Sequence, residues 1–195
     1  MDTIAFWHCF GKHAGEDRDA ILSRKEREIR ANGWTLWSFS KRTWFKILNP
    51  WREQVKKAAP SKVIVYCSDS PKARDPARNP KGCTARASEY QCSEGEPWLR
   101  IPESVCVPHP FGGKVEASAF KVARVVRQPT AGFDDRGFEW FGSGRWRKEG
   151  PFSTRPGELP TKPGEFLIRP GGKCKLRRVY AILELAPPYV VMIRK

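Results

Sequence analysis

Residues Asn32 to Ser40 read NGWTLWSFS, and the fold is organised around how this stretch is divided. Asn32-Gly33 has the character of a helix C-terminus, where glycine takes the left-handed conformation that closes the last turn. The residues after it are β-branched and aromatic, which favours a strand. Alternation places Trp34, Leu36 and Ser38 on one face, and Thr35, Trp37 and Phe39 on the other. Working backwards, Glu16, Asp17 and Asp19 lie where acidic side chains favour a helix start. The helix they open runs to about Ala31, with Ile21, Leu22, Lys25 and Ile29 along one face. Before it, a turn at residues 11–15 follows Thr3 to Phe10, a β-branched and aromatic run that predicts a buried first strand.

Working forwards, Thr43 caps a second helix, with Trp44, Ile47, Leu48, Trp51 and Val55 spaced for one buried face and a kink or break at Pro50. Lys62 to Cys67 (KVIVYC) is the clearest strand in the chain. Val105 to Pro108 reads as a short strand and Val115 to Arg127 as a long one with a bulge. Glu165 to Arg169, Arg178 to Leu185 and Tyr189 to Ile193 read as the last three, with Pro187-Pro188 breaking the chain between the final two. The Pro-, Gly- and Arg-rich stretches 69–113 and 128–164 read as long loop insertions in one domain spanning 1–195. Early helices beside later, mainly antiparallel strands define an α+β fold. Its expected form is a small mixed, mainly antiparallel β-barrel or strongly curved sheet with two or three helices packed against it.

Thirty-six Lys and Arg face 21 Asp and Glu, a formal net charge of +15 and a pI near 9.9. Such a field favours a polyanionic partner, and tryptophans accompanying the charge favour nucleic acid over a basic surface that serves solubility alone. No apolar run reaches the roughly 20 residues that span a bilayer, so no membrane partner is expected. The start, MDTIAFWHCF, lacks the layout of a secretory signal, which makes a cytoplasmic location and reduced cysteines the expectation. Cys106-Val-Pro-His109 has metal-like spacing, with Cys83 and Cys92 as further ligands, but the gaps fit no standard zinc knuckle. No metal or other cofactor is assigned.

The element order resembles the PUA-like superfamily, and within it the YTH, EVE and ASCH groups. Leu36-Trp37-Ser38 is similar to the YTH strand in which a tryptophan precedes small residues. Val63 to Ser68 resembles the family's strand ending in a serine-rich turn, and Ala117 to Val125 its returning strand. The resemblance covers element order over residues 3–68 and 114–127, whereas 69–113 and 128–164 exceed a minimal core. It implies a reader that holds a modified base in an aromatic cage, with Trp37 as the wall on which the base stacks.

The expected function is therefore a non-catalytic nucleic-acid-binding domain, DNA or RNA, with an aromatic pocket suited to a modified base. The expected ligand residues are Trp37, Trp34, Ser38, Trp7, His13, Trp140 and Trp146. Of the first two, Trp34 is expected to pack behind the first helix and Trp37 to face the ligand. Lys12, Arg124, Arg127, Lys173, Lys175, Arg177 and Arg178 are the expected phosphate contacts. One alternative is an RNA-cleaving or nucleotide-processing enzyme using His13 and Lys12, a use some ASCH proteins resemble. His8 and Cys9 also lie near Glu16 and Asp17, but neighbours on a strand point to opposite faces. Another alternative is a protein-interaction module built on exposed tryptophans. Neither paired metal-binding carboxylates nor a phosphate-binding glycine loop occurs.

Overall fold

A computed structural model describes residues 3–10, 16–41, 62–69, 86–108, 116–132, 138–140, 165–168 and 178–195. In chain order these form β1 (Thr3–Phe10), α1 (Arg18–Asn32), β2 (Thr35–Lys41), β3 (Lys62–Asp69), β4 (Glu89–Gln91), β5 (Leu99–Arg100), β6 (Glu116–Gly132), β7 (Phe138–Trp140), β8 (Glu165–Ile168) and β9 (Arg178–Arg194).

Both ends of α1 follow from local chemistry. Asp17 is the N-cap, its carboxylate accepting from the Ala20 N–H at 2.8 Å. Gly33 closes the helix at φ 76°, its N–H donating to the Ile29 carbonyl at 2.7 Å. The buried positions Ile21, Leu22, Lys25 and Glu28 fall on one face.

The strands form one mixed sheet in the order β2-β6-β9-β3-β1-β8-β7, with β4 added to β9 and β5 to β4. β1 pairs in parallel with β3 and β8, and β7 with β8. The remaining pairings are antiparallel, so the sheet is mainly antiparallel. Alternation along the strands gives two apolar faces. On one, Trp37, Phe120, Val122, Leu183 and Met192 meet Ile21 and Leu22 of α1. On the other, Leu36, Ala117, Ala119, Val191 and Ile193 meet Ala87, Tyr90, Ile101, Val105 and Val107. The sheet's β2–β6–β9 region is thus packed between α1 and the 86–108 segment. That segment is tied down by backbone bonds, Ser88 N–H to the Arg194 carbonyl and Ala87 N–H to the Val107 carbonyl among them.

One α-helix is present among the described residues; the second helix expected from Thr43 to Val55 lies outside them. Other expectations are corrected. The sheet path ends at β2 and β7 without closing among the described residues, so an open sheet replaces the barrel. Val105 to Pro108 forms no strand, only an isolated bridge from Pro108 to Arg86. Residues 69–113 include β4 and β5, and residues 128–164 include β7.

The two strands expected on either side of Pro187-Pro188 are one. Opposite β6 the register passes from Val122–Leu185 to Phe120–Val190. Residues 186–189 are therefore looped out against a single residue, Lys121. The bulge takes up the proline pair, whose peptide bond is cis, and Tyr189 at φ 69°. No described helix is long and apolar enough to cross a membrane.

A side chain at Gly33 would meet nothing within 4 Å. Gly33→Ala should therefore cost only the backbone term for a left-handed residue, about 1–2 kcal/mol. Urea unfolding should show this as a lower midpoint at unchanged m-value.

Candidate functional site

The structure separates the two tryptophans of the opening stretch, opposite to the expected assignment. Trp37 is 5% exposed and belongs to the core shared with α1. Its partner across the ladder is Phe120. Thr35, two residues earlier and on the same face, reaches Glu28 of α1, which fixes that face as the helix side. Trp34 lies on the far face and is half-buried against the second cluster. Its ring is tilted 59° to Tyr90 with centroids 5.4 Å apart. The Lys121 Nζ stands 5.1 Å from the Trp34 ring centroid. Ser38 donates to the Pro108 carbonyl at 3.3 Å.

Two arginines of the expected phosphate set, Arg124 and Arg127, are beside carboxylates. Arg124 lies directly across the ladder from Glu184, 3.8 Å away. Arg127 donates to both oxygens of Glu26, at 2.8 and 3.0 Å, and to the Ser23 hydroxyl at 2.7 Å. Trp7 occupies a β1 position opposite Tyr66, Trp140 a β7 position opposite Leu167, and Arg178 the start of β9 opposite Gly132. Lys12, His13, Trp146, Lys173, Lys175 and Arg177 lie outside the described residues, as do Cys83 and His109. Cys92 and Cys106 are free thiols, and no group of His, Cys, Asp and Glu suited to a metal occurs among the described residues.

The most concentrated chemistry is a buried charge network at the edge of β2. Lys25 and Glu28 are each 3% exposed. The Lys25 Nζ donates to Glu28 Oε2 at 2.9 Å, Thr35 Oγ1 at 3.2 Å, the Leu36 carbonyl at 2.6 Å and the Cys106 carbonyl at 2.8 Å. Glu28 also accepts from the Thr35 hydroxyl, from Arg24 at 2.9 Å and from the Cys106 N–H at 3.1 Å. Arg24 in turn donates to both oxygens of Glu16 and to the Cys106 carbonyl. The network joins α1, β2 and the loop through Cys106. Lys25 was legible as a helix-face position, but its partners at Thr35 and Cys106 come from distant segments and left no sequence signal.

Burial pulls the Lys25 amine down to about 8, while the Glu28 charge pulls it up. Four oxygens around one nitrogen suit an ammonium, with three protons to donate, better than a neutral amine. Burial alone would raise the Glu28 carboxyl. The Lys25 charge and hydrogen bonds from Thr35, Lys25 and Arg24 outweigh it and hold the group below its ordinary range. Every polar atom in the cluster is engaged internally, which marks it as an anchor of the fold. Burial lowers His8 to about 4, so it is neutral at neutral pH and offers no cation to a phosphate.

No protein family, curated protein or solved structure matches the chain, so the functional argument rests on these residues.

Lys25→Met leaves Glu28 buried without its main partner and should cost about 3–5 kcal/mol in urea unfolding. Arg127→Ala, at a mostly exposed pair, should cost at most about 1 kcal/mol. Because the folded Glu28 carboxyl is depressed, its contribution is present above the ordinary value of 4.5 and lost as pH falls through the folded value. Acid titration of stability should show this loss in the wild type and a smaller one in Lys25→Met.

Proposed function

We propose that the protein is a non-catalytic nucleic-acid-binding domain that receives a base against an aromatic wall. The observation that supports this is the net charge of +15, with 36 Lys and Arg against 21 Asp and Glu, gathered in runs of sequence that hold almost no acid. Among the described residues, several cations are matched locally: Arg24, Lys25, Lys62, Arg127 and Arg194 each stand within 3.4 Å of a carboxylate. Along the sequence the basic excess is marked in stretches such as residues 70–85, with four basic residues and one acidic, and 169–177, with four and none.

Those two stretches start where β3 and β8 end, at Asp69 and Ile168. β1 lies between β3 and β8 in the sheet and runs parallel to both. The chain thus leaves β3 and β8, the two strands that flank β1, in the same direction, which favours one shared basic region over scattered charge. Contacts of this kind act on the phosphate backbone and give affinity without sequence preference.

Binding of labelled oligonucleotides should be measurable at low salt and fall steeply as salt rises. Replacing Lys173, Lys175, Arg177 and Arg178 together by glutamine should lower the log–log salt slope by about three to four. An absence of nucleic-acid binding at low salt would overturn the reading.

A further inference from the structure

We infer that Trp34 and Lys121 together form a contact for single-stranded nucleic acid, the indole stacking one base and the ammonium taking an adjacent phosphate. This rests on the nucleic-acid reading above and names the class of ligand and the residues that meet it. The starting observation is a contrast along one strand. β6 carries three described cations, Lys121, Arg124 and Arg127. Arg124 faces Glu184 and Arg127 holds Glu26. Among the described residues Lys121 has no carboxylate within ion-pair distance, and the face of Trp34 is the contact its ammonium makes.

The register gives the reason. On one side Lys121 pairs with Leu36 of β2. On the other, the β9 bulge replaces a cross-strand partner, since Phe120 pairs with Val190 and Val122 with Leu185. The device that supplies Arg124 with an acid is missing at Lys121.

Trp34 is suited to the other half of the contact. It follows the Gly33 cap of α1 and precedes β2, so its backbone is held at both ends. Tyr90 braces the ring from within, and the indole remains partly open to solvent. A braced aromatic beside a cation is the pairing that binds single strands, because every base offers a π-face. Duplex bases have both faces covered by stacking, so this contact favours the single strand. Lys121 would leave the ring as a base arrives and stay within reach of the backbone phosphate.

The test is fluorescence anisotropy of the full chain with short labelled oligothymidylate, oligouridylate and a duplex, each across a salt series. Trp34→Ala should weaken single-strand binding about 10-fold and leave duplex binding unchanged, while Trp34→Phe should keep most of the affinity. Lys121→Met should reduce the single-strand salt slope by about 0.7. Circular dichroism melts confirm that each variant is folded. Should Trp34→Ala fail to fold, the Lys121→Met slope and the Trp34→Phe affinity decide the matter. Folded variants that bind single strands as the wild type does would overturn this site and leave the nucleic-acid reading standing. A wild type that binds neither single strand nor duplex would overturn both.

Discussion

The buried contact between Lys25 and Glu28 is the constraint on which the arrangement of the described fold depends. β2 ends the sheet path, so among the described residues no strand satisfies its outer edge. An open edge with unpaired carbonyls is a template for unwanted pairing. Lys25 meets that need by donating to the Leu36 carbonyl, and the same nitrogen holds the Cys106 carbonyl. Since α1 covers one face of the sheet and the 86–108 segment the other, one ammonium joins both layers around the edge. A buried ion pair is a weak source of net stability against an apolar replacement. Its effect here is positional: it sets where the Cys106 loop meets the helix.

That arrangement limits where a ligand could bind. Lys25, Glu28, Arg24 and Thr35 have their polar atoms turned on each other and on Cys106, so the richest cluster of charge leaves little to offer a partner. The helix-side face of β2 is filled by Trp37 and its neighbours. Among the described side chains, what remains is the far-face aromatic just before β2, Trp34. The proposed contact at Trp34 and the packing of Trp37 therefore fall on opposite faces, by the alternation of side chains in NGWTLWSFS.

Local features of the fold were legible in the sequence. The first strand, the Gly33 stop, the acidic helix start and KVIVYC follow from propensity and capping, which act over a few residues. Features depending on distant segments were not. β4 and β5 are short and Gly-, Pro- and Ser-flanked, so they resemble loop until β9 supplies a partner for β4, and β4 for β5. Alternation correctly divides Trp34 from Trp37 but does not say which face the helix will cover. The pairing of Thr35 with Glu28 decides that, and it is a tertiary fact.

Pro187-Pro188 shows how the same limit reaches the candidate site. A proline pair lacks the N–H groups that a ladder needs, and reading it as a chain break is sound locally. The long neighbour β6 nevertheless pairs with β9 on both sides of it, so the strand continues and the irregularity becomes a bulge. On the other edge of β9, β3 pairs before the bulge and β4 after it, which brings Tyr90 into the sheet. The bulge thus leaves Lys121 without a cross-strand acid, while the part of β9 beyond it pairs with β4, whose Tyr90 braces Trp34. A cation and an aromatic become neighbours through a defect in the ladder, and no periodicity in the sequence records such a defect.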